Sequence, residues 1–134
     1  MATRDQNRRD SDGPATNPRM NLPTSPVEVV QRQLDAYNAR DLSRFVANYS
    51  DSVQVFRPPA VQPALVGKAQ LTDFYATQRF NLPALNAELV RRVAFGNIVA
   101  DHERIRGARA EPVDALAVYR VQDGLIQTVW LFTE

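Results

Sequence analysis

The 134-residue chain contains no cysteine and a single histidine, His102. The absence of cysteine excludes disulfides, thiolate metal ligands and a cysteine nucleophile. One histidine is too few for a multi-histidine metal site, and a serine-based catalytic triad would have to use His102 itself. We therefore expect a protein without a bound metal ion.

An excess of either charge and a long apolar run are also missing. Sixteen Lys and Arg residues balance fifteen Asp and Glu residues, for a formal net charge of +1, so no electrostatic field favours nucleic acid or anionic lipid. No apolar run of the sequence approaches the roughly 20 residues that a membrane span requires. These absences predict neither a nucleic-acid nor a membrane partner, and a cytoplasmic location is the default expectation.

The chain is predicted to consist of a tail followed by one domain. Residues 1–22 are rich in Arg, Asp, Asn, Gly and Pro and contain few apolar side chains. Such a segment buries too little surface to offset the conformational entropy lost on ordering, so we expect a disordered tail. Residues 23–134 have the length and composition of a single folded domain.

Three helical patterns precede most of the strand patterns. The stretch from Ser25 to Glu28, "SPVE", has the form of a capping box with proline at the first helical position. Asp41 is placed to cap a second, short helix. Residues 68–80 carry a third helical pattern. The rest of the chain alternates with period two and contains tight turns, which predicts an α+β domain with helices packed on one face of a sheet.

Charged residues interrupt the apolar faces of two predicted strands. Two valines at the preceding alternate positions place Arg57 on the apolar side of the first strand. A guanidinium buried there needs an anionic partner, for which Asp101, Glu103 and Asp114 are the protein candidates. Alternatively, Arg57 buries only its stem and keeps its charge in water. In "IVADHERIR" both strand faces mix charged and aliphatic residues, so the pattern alone leaves its inward face open.

Five stretches carry a resemblance to a known family. "VVQRQLDAYNARDL", "VANYSDSVQVFRPP", "GKAQLTDFYA", "NLPALNAEL" and "GLIQTVWLF" resemble, in order and spacing, the ketosteroid isomerase branch of the nuclear transport factor 2-like (SnoaL-like) superfamily. The resemblance implies a cone-shaped domain in which three helices and a curved mixed or antiparallel sheet enclose a pocket for a small molecule. It also implies a homodimer through the outer sheet face. In the implied register four residues of one strand face the pocket: Val99, Asp101, Glu103 and Ile105.

The family's catalytic residues are not matched. The position of the carboxylate base, immediately before a proline, is Arg57. The positions of the two oxyanion donors are Gln33 and approximately Ala117. Because an arginine cannot accept a proton, the resemblance does not extend to ketosteroid isomerase activity. The simplest interpretation is a relocated charge pair, Arg57 with Glu103 or Asp101.

Three functions remain open at this point. In the first, the chain is a cofactor-free isomerase, lyase, cyclase or hydrolase that acts on a small apolar or acidic substrate. Glu103 or Asp101 is then the general base or acid, and Arg57 stabilises an oxyanion. Alternatively, it is a binding protein in which Arg57 holds a ligand anion, or an interaction domain without a ligand. The residues expected to line the pocket are Gln33, Tyr37, Val55, Phe74, Tyr75, Tyr119 and Trp130.

Overall fold

The computed structural model describes residues 24–134, so the tail predicted for residues 1–22 lies outside the described residues. The helices are α1 (Pro26–Asn38), α2 (Leu42–Val46) and α3 (Gly67–Gln78). The strands are β1 (Tyr49–Phe56), β2 (Leu65–Val66), β3 (Asn86–Phe95), β4 (Ile98–Arg106), β5 (Val113–Gln122) and β6 (Leu125–Thr133). Within residues 24–134, no helix has the length and apolar character needed to cross a membrane.

The predicted capping box begins α1. The Ser25 hydroxyl accepts a hydrogen bond from the Glu28 backbone N–H at 3.2 Å, and the Glu28 carboxylate accepts one from the Ser25 N–H at 3.1 Å. These two bonds satisfy backbone donors that the first helical turn leaves free. The helix then buries Val30 and Leu34 in the core. The local sequence therefore determines both where α1 starts and which side faces the sheet.

The six strands form one mixed sheet in the order β2-β1-β6-β5-β4-β3. Strands β1 and β6 are parallel, and the other neighbouring pairs are antiparallel. The helices pack on one face, which we call the inner face. This arrangement confirms the predicted α+β fold.

Two of the register shifts in the sheet decide which side chains of β3 and β6 reach the inner face. In β3 the pairing with β4 skips Val90, and in β6 the pairing with β5 skips Gln127. One extra residue in a strand reverses the side-chain alternation beyond it. Both shifts therefore change which side chains of β3 and β6 face the interior of the domain.

Strand β4 has the orientation that the resemblance implied. Val99, Asp101 and Glu103 are buried on the inner face, whereas His102 and Arg104 are only partly buried. The inner face of β4 therefore carries two carboxylates into the interior of the domain.

Candidate functional site

A cavity of about 110 Å³ lies between the helices and the inner face of the sheet. Five of the residues predicted to line a pocket line this cavity: Gln33, Tyr37, Val55, Tyr75 and Tyr119. Strands β5 and β6 add an apolar wall that includes Ala117, Val129 and Leu131. The cavity is thus an apolar space with a few polar groups, which is the usual composition of a small-molecule site.

Glu103 is the carboxylate of the cavity. It lines the cavity from β4 and is only 7% exposed. Its Oε2 atom is buried and has no hydrogen-bond partner within the described part of the chain. Burial and, less strongly, the charge of Asp101 raise the pKa of Glu103 to about 7, while Arg92 acts in the opposite direction. Near neutral pH this group can therefore both accept and donate a proton.

Asp101 is bound by Arg92 instead of Arg57. Arg92 Nε donates to Asp101 Oδ1 at 2.7 Å, and Arg92 Nη2 donates to Oδ2 at 2.9 Å, so the contact is bidentate. Asp101 is fully buried and does not line the cavity. Within residues 24–134, Arg57 forms no ion pair, so the expected pair of Arg57 with Asp101 or Glu103 is not formed. Asp101 is a charged neighbour of Glu103, with both of its own oxygens engaged.

The register shift in β3 brings Arg92 to Asp101. Strict alternation from Leu89 would turn Arg91 inward and Arg92 outward. Because the pairing skips Val90, Arg92 stands opposite Asp101 and shares its face. The strand was predicted from the sequence, but an alternating pattern gives no signal for the skipped residue. For this reason the partner of Asp101 was missed.

Gln33 connects two tyrosines beside the cavity. The Tyr49 hydroxyl donates to Gln33 Oε1 at 3.0 Å, and Gln33 Nε2 donates to the Tyr119 oxygen at 3.1 Å. All three residues are buried. Burial, reinforced by the charge of Glu103, raises the pKa of both tyrosines well above the usual range. Tyr119 is therefore neutral, and because its oxygen accepts from Gln33, its O–H proton can serve as a donor to another group.

Tyr37 and Tyr75 form the aromatic wall of the cavity. Their rings meet edge to face, with centroids 6.3 Å apart, and both rings pack on Phe45. Burial raises the pKa of Tyr75, while Arg79 and Arg57 lower it. Tyr75 thus lies within the electrostatic influence of two cavity arginines.

Three arginines line the open end of the cavity. Arg57 follows β1, Arg79 is the residue after the last turn of α3, and Arg109 belongs to the loop between β4 and β5. Arg57 and Arg109 are exposed and Arg79 is half-buried. Only Arg57 was expected at the site. The other two occupy a helix end and a loop, where no periodic pattern indicates the direction of a side chain.

Phe74 was expected in the pocket but does not line it. Its ring packs edge to face on Tyr75 with centroids 5.3 Å apart, and the guanidinium of Arg79 lies 4.9 Å from its centroid. On α3 the positions that line the cavity are Leu71 and Tyr75. Phe74 therefore contacts Tyr75 of the aromatic wall and Arg79 at the open end, which we call the mouth, but it does not itself line the cavity.

Trp130 was also expected in the pocket, and the structure places it on the outer face. It stacks with Phe56, with centroids 6.4 Å apart and an interplanar angle of 19°. Strict alternation from the buried Ile126 would turn Trp130 inward. Because the pairing of β6 skips Gln127, Val129 lines the cavity and Trp130 faces away.

The fold and the cavity together define an NTF2-like domain: three helices on a six-stranded mixed sheet around an interior site. The SnoaL-like domain family matches residues 30–129. The chain therefore belongs to the SnoaL-like domain family, within the superfamily that the sequence resembles. No curated protein matches the chain significantly.

Three solved structures illustrate the likeness of fold. An NTF2-like protein of unknown function from Cytophaga hutchinsonii is 12% identical with a TM-score of 0.72, over 86% of this chain and 95% of that protein. A protein provisionally named a ketosteroid isomerase, from Kribbella flavida, is 20% identical with a TM-score of 0.71, over 81% and 77%. A protein provisionally named a SnoaL-like polyketide cyclase, from Jannaschia sp. CCS1, is 18% identical with a TM-score of 0.72, over 84% and 88%.

Proposed function

We propose that the chain is a cofactor-free enzyme that moves a proton within a small carbonyl compound bound in the cavity, with Glu103 as the general base and acid. The observation that carries the proposal is the buried Oε2 of Glu103, which has no partner within the described residues and belongs to a group that lines the cavity. The pKa of about 7 for Glu103 supports it, because a general base is most effective when its pKa is near the working pH.

The chemistry begins at a carbon next to a carbonyl group. The Glu103 carboxylate takes the proton, and the electron pair of the C–H bond moves through the new C=C bond onto the carbonyl oxygen as an enolate. The neutral Tyr119 is the candidate donor to that oxygen, and Gln33 holds it in place. Return of the proton to a different carbon completes an isomerisation. In a dehydration the β-hydroxyl group takes this proton from Glu103 and leaves as water, and in a cyclisation the enolate carbon attacks a second carbonyl group, whose oxygen takes the proton.

The structural neighbours are consistent with this class of reaction. Two of them are provisionally named as a ketosteroid isomerase and a SnoaL-like polyketide cyclase. Both names describe reactions of enolisable carbonyl compounds. The alternative is a binding protein that uses the same cavity without chemistry, and the experiment below separates the two.

The test is the exchange of α-protons into D2O, followed by ¹H NMR with a panel of small cyclic and aryl ketones. We expect the native protein to exchange the protons of at least one ketone, and Glu103→Gln to exchange them about a hundredfold more slowly or worse. Asp114→Asn removes a carboxylate from the outer face and is the matched control, with an unchanged rate. Exchange by Glu103→Gln at the native rate, or no exchange of any panel member by the native protein, would contradict the proposal.

We also propose that the outer sheet face joins two copies of the chain. Leu116 and Phe132 stand side by side on β5 and β6 in register, and they are 39% and 42% exposed. A row of exposed apolar side chains on a sheet is typical of an interface between subunits. Light scattering tests this proposal. We expect the native protein to be a dimer and Leu116→Lys to be a monomer, because the variant places a charge in the apolar contact. The cytoplasmic location remains a prediction.

A further inference from the structure

The open end of the cavity combines three arginines that form no ion pair with any residue that the structure describes. Within residues 24–134, Arg57, Arg79 and Arg109 make no ion pair, as is also true of Arg91 on the surface, whereas the buried Asp101 takes Arg92 and Asp114 takes Arg104. All three line the same cavity although they come from separate parts of the chain. A planar guanidinium is suited to bind an oxyanion through two parallel hydrogen bonds.

Local structure holds two of these arginines at the mouth. Gly107 has φ +86°, and a Cβ atom at this position would collide with the Ala84 backbone, so the loop that carries Arg109 packs against the chain before β3 in a way that other residues do not permit. The guanidinium of Arg79 lies 4.9 Å from the Phe74 ring centroid. The aromatic contact orients a cation without neutralising it.

The cations lie where the cavity opens to solvent, and the carboxylate is buried inside it. Arg57 and Arg109 are exposed, whereas Glu103 is only 7% exposed. Both influence Tyr75 between them, because Arg79 and Arg57 lower its pKa and Glu103 raises it. The cation that lowers the pKa of Glu103 itself is Arg92, which does not line the cavity. Apolar side chains of Val55, Val129 and Leu131 complete the lining. The cavity is therefore polarised, with cations at the mouth, apolar walls and a titratable carboxyl group inside.

From this arrangement we infer that the ligand of the cavity is an amphipathic small acid. Its carboxylate or phosphate group is bound at the mouth by Arg57, Arg79 and Arg109, and its apolar part lies in the interior beside Glu103. The inference rests on the proposed function in so far as both use this cavity, and it names the chemical class of the substrate. Of the two ligand-directed roles that the sequence analysis left open for Arg57, the inference takes the second: Arg57 binds the substrate's own anion and does not stabilise an oxyanion that forms during the reaction.

Calorimetric titration with three probes tests the inference. The probes are 4-oxo-4-phenylbutanoate, phenyl phosphate and the uncharged methyl ester of the first. We expect at least one of the two anions to bind about tenfold more tightly than the ester. The preferred anion distinguishes carboxylate recognition from phosphate recognition. We also expect its affinity to fall at high salt, because the mouth is open to solvent.

Variants that remove positive charge test whether the arginines at the mouth provide the affinity for the anion. Arg57 and Arg109 are exposed, so the double variant Arg57→Gln/Arg109→Gln should fold normally. It should bind the anion about tenfold more weakly and the ester with unchanged affinity. Arg91→Gln removes an exposed arginine that does not line the cavity, and it is the control with unchanged affinity for both.

The outcomes separate this inference from the proposed function. Binding of the ester as tight as that of the better anion, no binding of either anion, or full affinity for the anion in the double variant would overturn the inference. Glu103→Gln should bind the anion at least as tightly as the native protein while it loses proton exchange. If the anion binds through the arginines and no ketone exchanges protons, the proposed function fails and the inference stands. If neutral ketones exchange protons and the double variant retains that activity and the anion affinity, the inference fails and the proposed function stands.

Discussion

The inner face of β4 carries Asp101 and Glu103 in the interior of the domain, whereas the outer face carries His102 and Arg104 beside Asp114, where all three side chains are partly exposed. On each face the acid and its base lie on neighbouring strands: Arg92 of β3 binds Asp101 on the inner face, and Asp114 of β5 binds the two bases of β4 on the outer face. On the outer face Arg104 Nε donates to Asp114 Oδ1 at 2.9 Å, and His102 Nε2 lies 2.9 Å from Oδ2. On the inner face, Asp101 has a basic partner in Arg92, and Glu103 has none among residues 24–134.

The two faces shift the pKa of a carboxyl group in opposite directions. Hydrogen bonds from Arg104 and then from His102 lower the pKa of Asp114 to about 2. Burial raises the pKa of Glu103 to about 7. The environment of each group determines its chemistry: a solvated, hydrogen-bonded carboxylate stays charged, and a buried one without a partner becomes a group that exchanges protons near neutral pH.

The largest expected effect comes from removing the base of the inner face. Arg92→Met leaves Asp101, which is fully buried, without its two charge-assisted hydrogen bonds. We expect the free energy of unfolding to fall by about 3–5 kcal/mol, because an uncompensated buried charge is strongly destabilising. Urea denaturation followed by circular dichroism measures the change.

Two further variants test whether Arg92→Met loses stability because the pair of Arg92 and Asp101 is buried. Arg104→Met removes the equivalent base from the exposed pair and should leave the urea midpoint nearly unchanged, because water screens that pair. The double variant Arg92→Met/Asp101→Leu replaces both charges with apolar groups and should regain much of the lost stability. Equal losses in Arg92→Met and Arg104→Met would show that the two faces do not differ in this respect.

The second effect is the pH dependence that Glu103 imposes on stability. Its pKa is 4.5 in the unfolded chain and about 7 in the folded domain, so only the protonated form is well accommodated. The stability contributed by this group is fully present below pH 4.5 and is lost as the pH rises to 7. The loss is roughly 3 kcal/mol. Urea denaturation across this pH range, with Glu103→Gln as the comparison, measures it.

Asp114 provides the opposite dependence in the same experiment. Its pKa is lowered from 3.8 to about 2, so its contribution is present above pH 3.8 and is lost as the pH falls through 2. Asp114→Asn should therefore alter the acid end of the stability curve and leave the range from pH 4.5 to 7 unchanged. A native curve that stays parallel to that of Glu103→Gln in this range would contradict the assignment to Glu103.

The elements of the fold could be predicted because each has a local signal. The capping box from Ser25 to Glu28 marks the start of α1, and period-two alternation marks the long strands. The resemblance to a family then supplied the order of the elements and the inward orientation of Glu103. Signals of this kind depend on near neighbours in the chain, which is the information that a single sequence contains.

The contents of the site were less predictable because they depend on skipped residues and on loops. A skip at Val90 brings Arg92 to Asp101, and a skip at Gln127 turns Trp130 outward. Neither skip leaves a mark in an alternating pattern. Arg109 was missed for a different reason, since its position depends on how the loop after β4 packs against distant backbone. These features are tertiary, and a single sequence carries no local signal for them.

A smaller effect is expected from the neutral hydrogen bonds of the inner face. Gln33→Leu removes the amide that accepts from Tyr49 and donates to Tyr119, and it leaves buried hydroxyls without that partner. We expect a loss of about 2 kcal/mol in the free energy of unfolding. Gln54→Leu makes the same substitution at an exposed position of β1, and it should change stability by less than about 0.5 kcal/mol. If the two variants unfold at the same urea concentration, the bonds of Gln33 contribute nothing to stability.

The smallest expected effect on stability lies at the outer face, where the measurable change is in proton affinity. Arg104 is the main cause of the low pKa of Asp114, and His102 is the second. NMR titration of the Asp114 carboxyl carbon should therefore show a pKa that rises toward 3.8 in both Arg104→Gln and His102→Asn, and more so in the first. At neutral pH Asp114 is ionised in all three proteins and remains in contact with water, so their urea midpoints should coincide. If the pKa of Asp114 rises more in His102→Asn than in Arg104→Gln, the histidine makes the main interaction. A large change in the urea midpoint of either variant would contradict the view that the outer face is solvated and contributes little to stability.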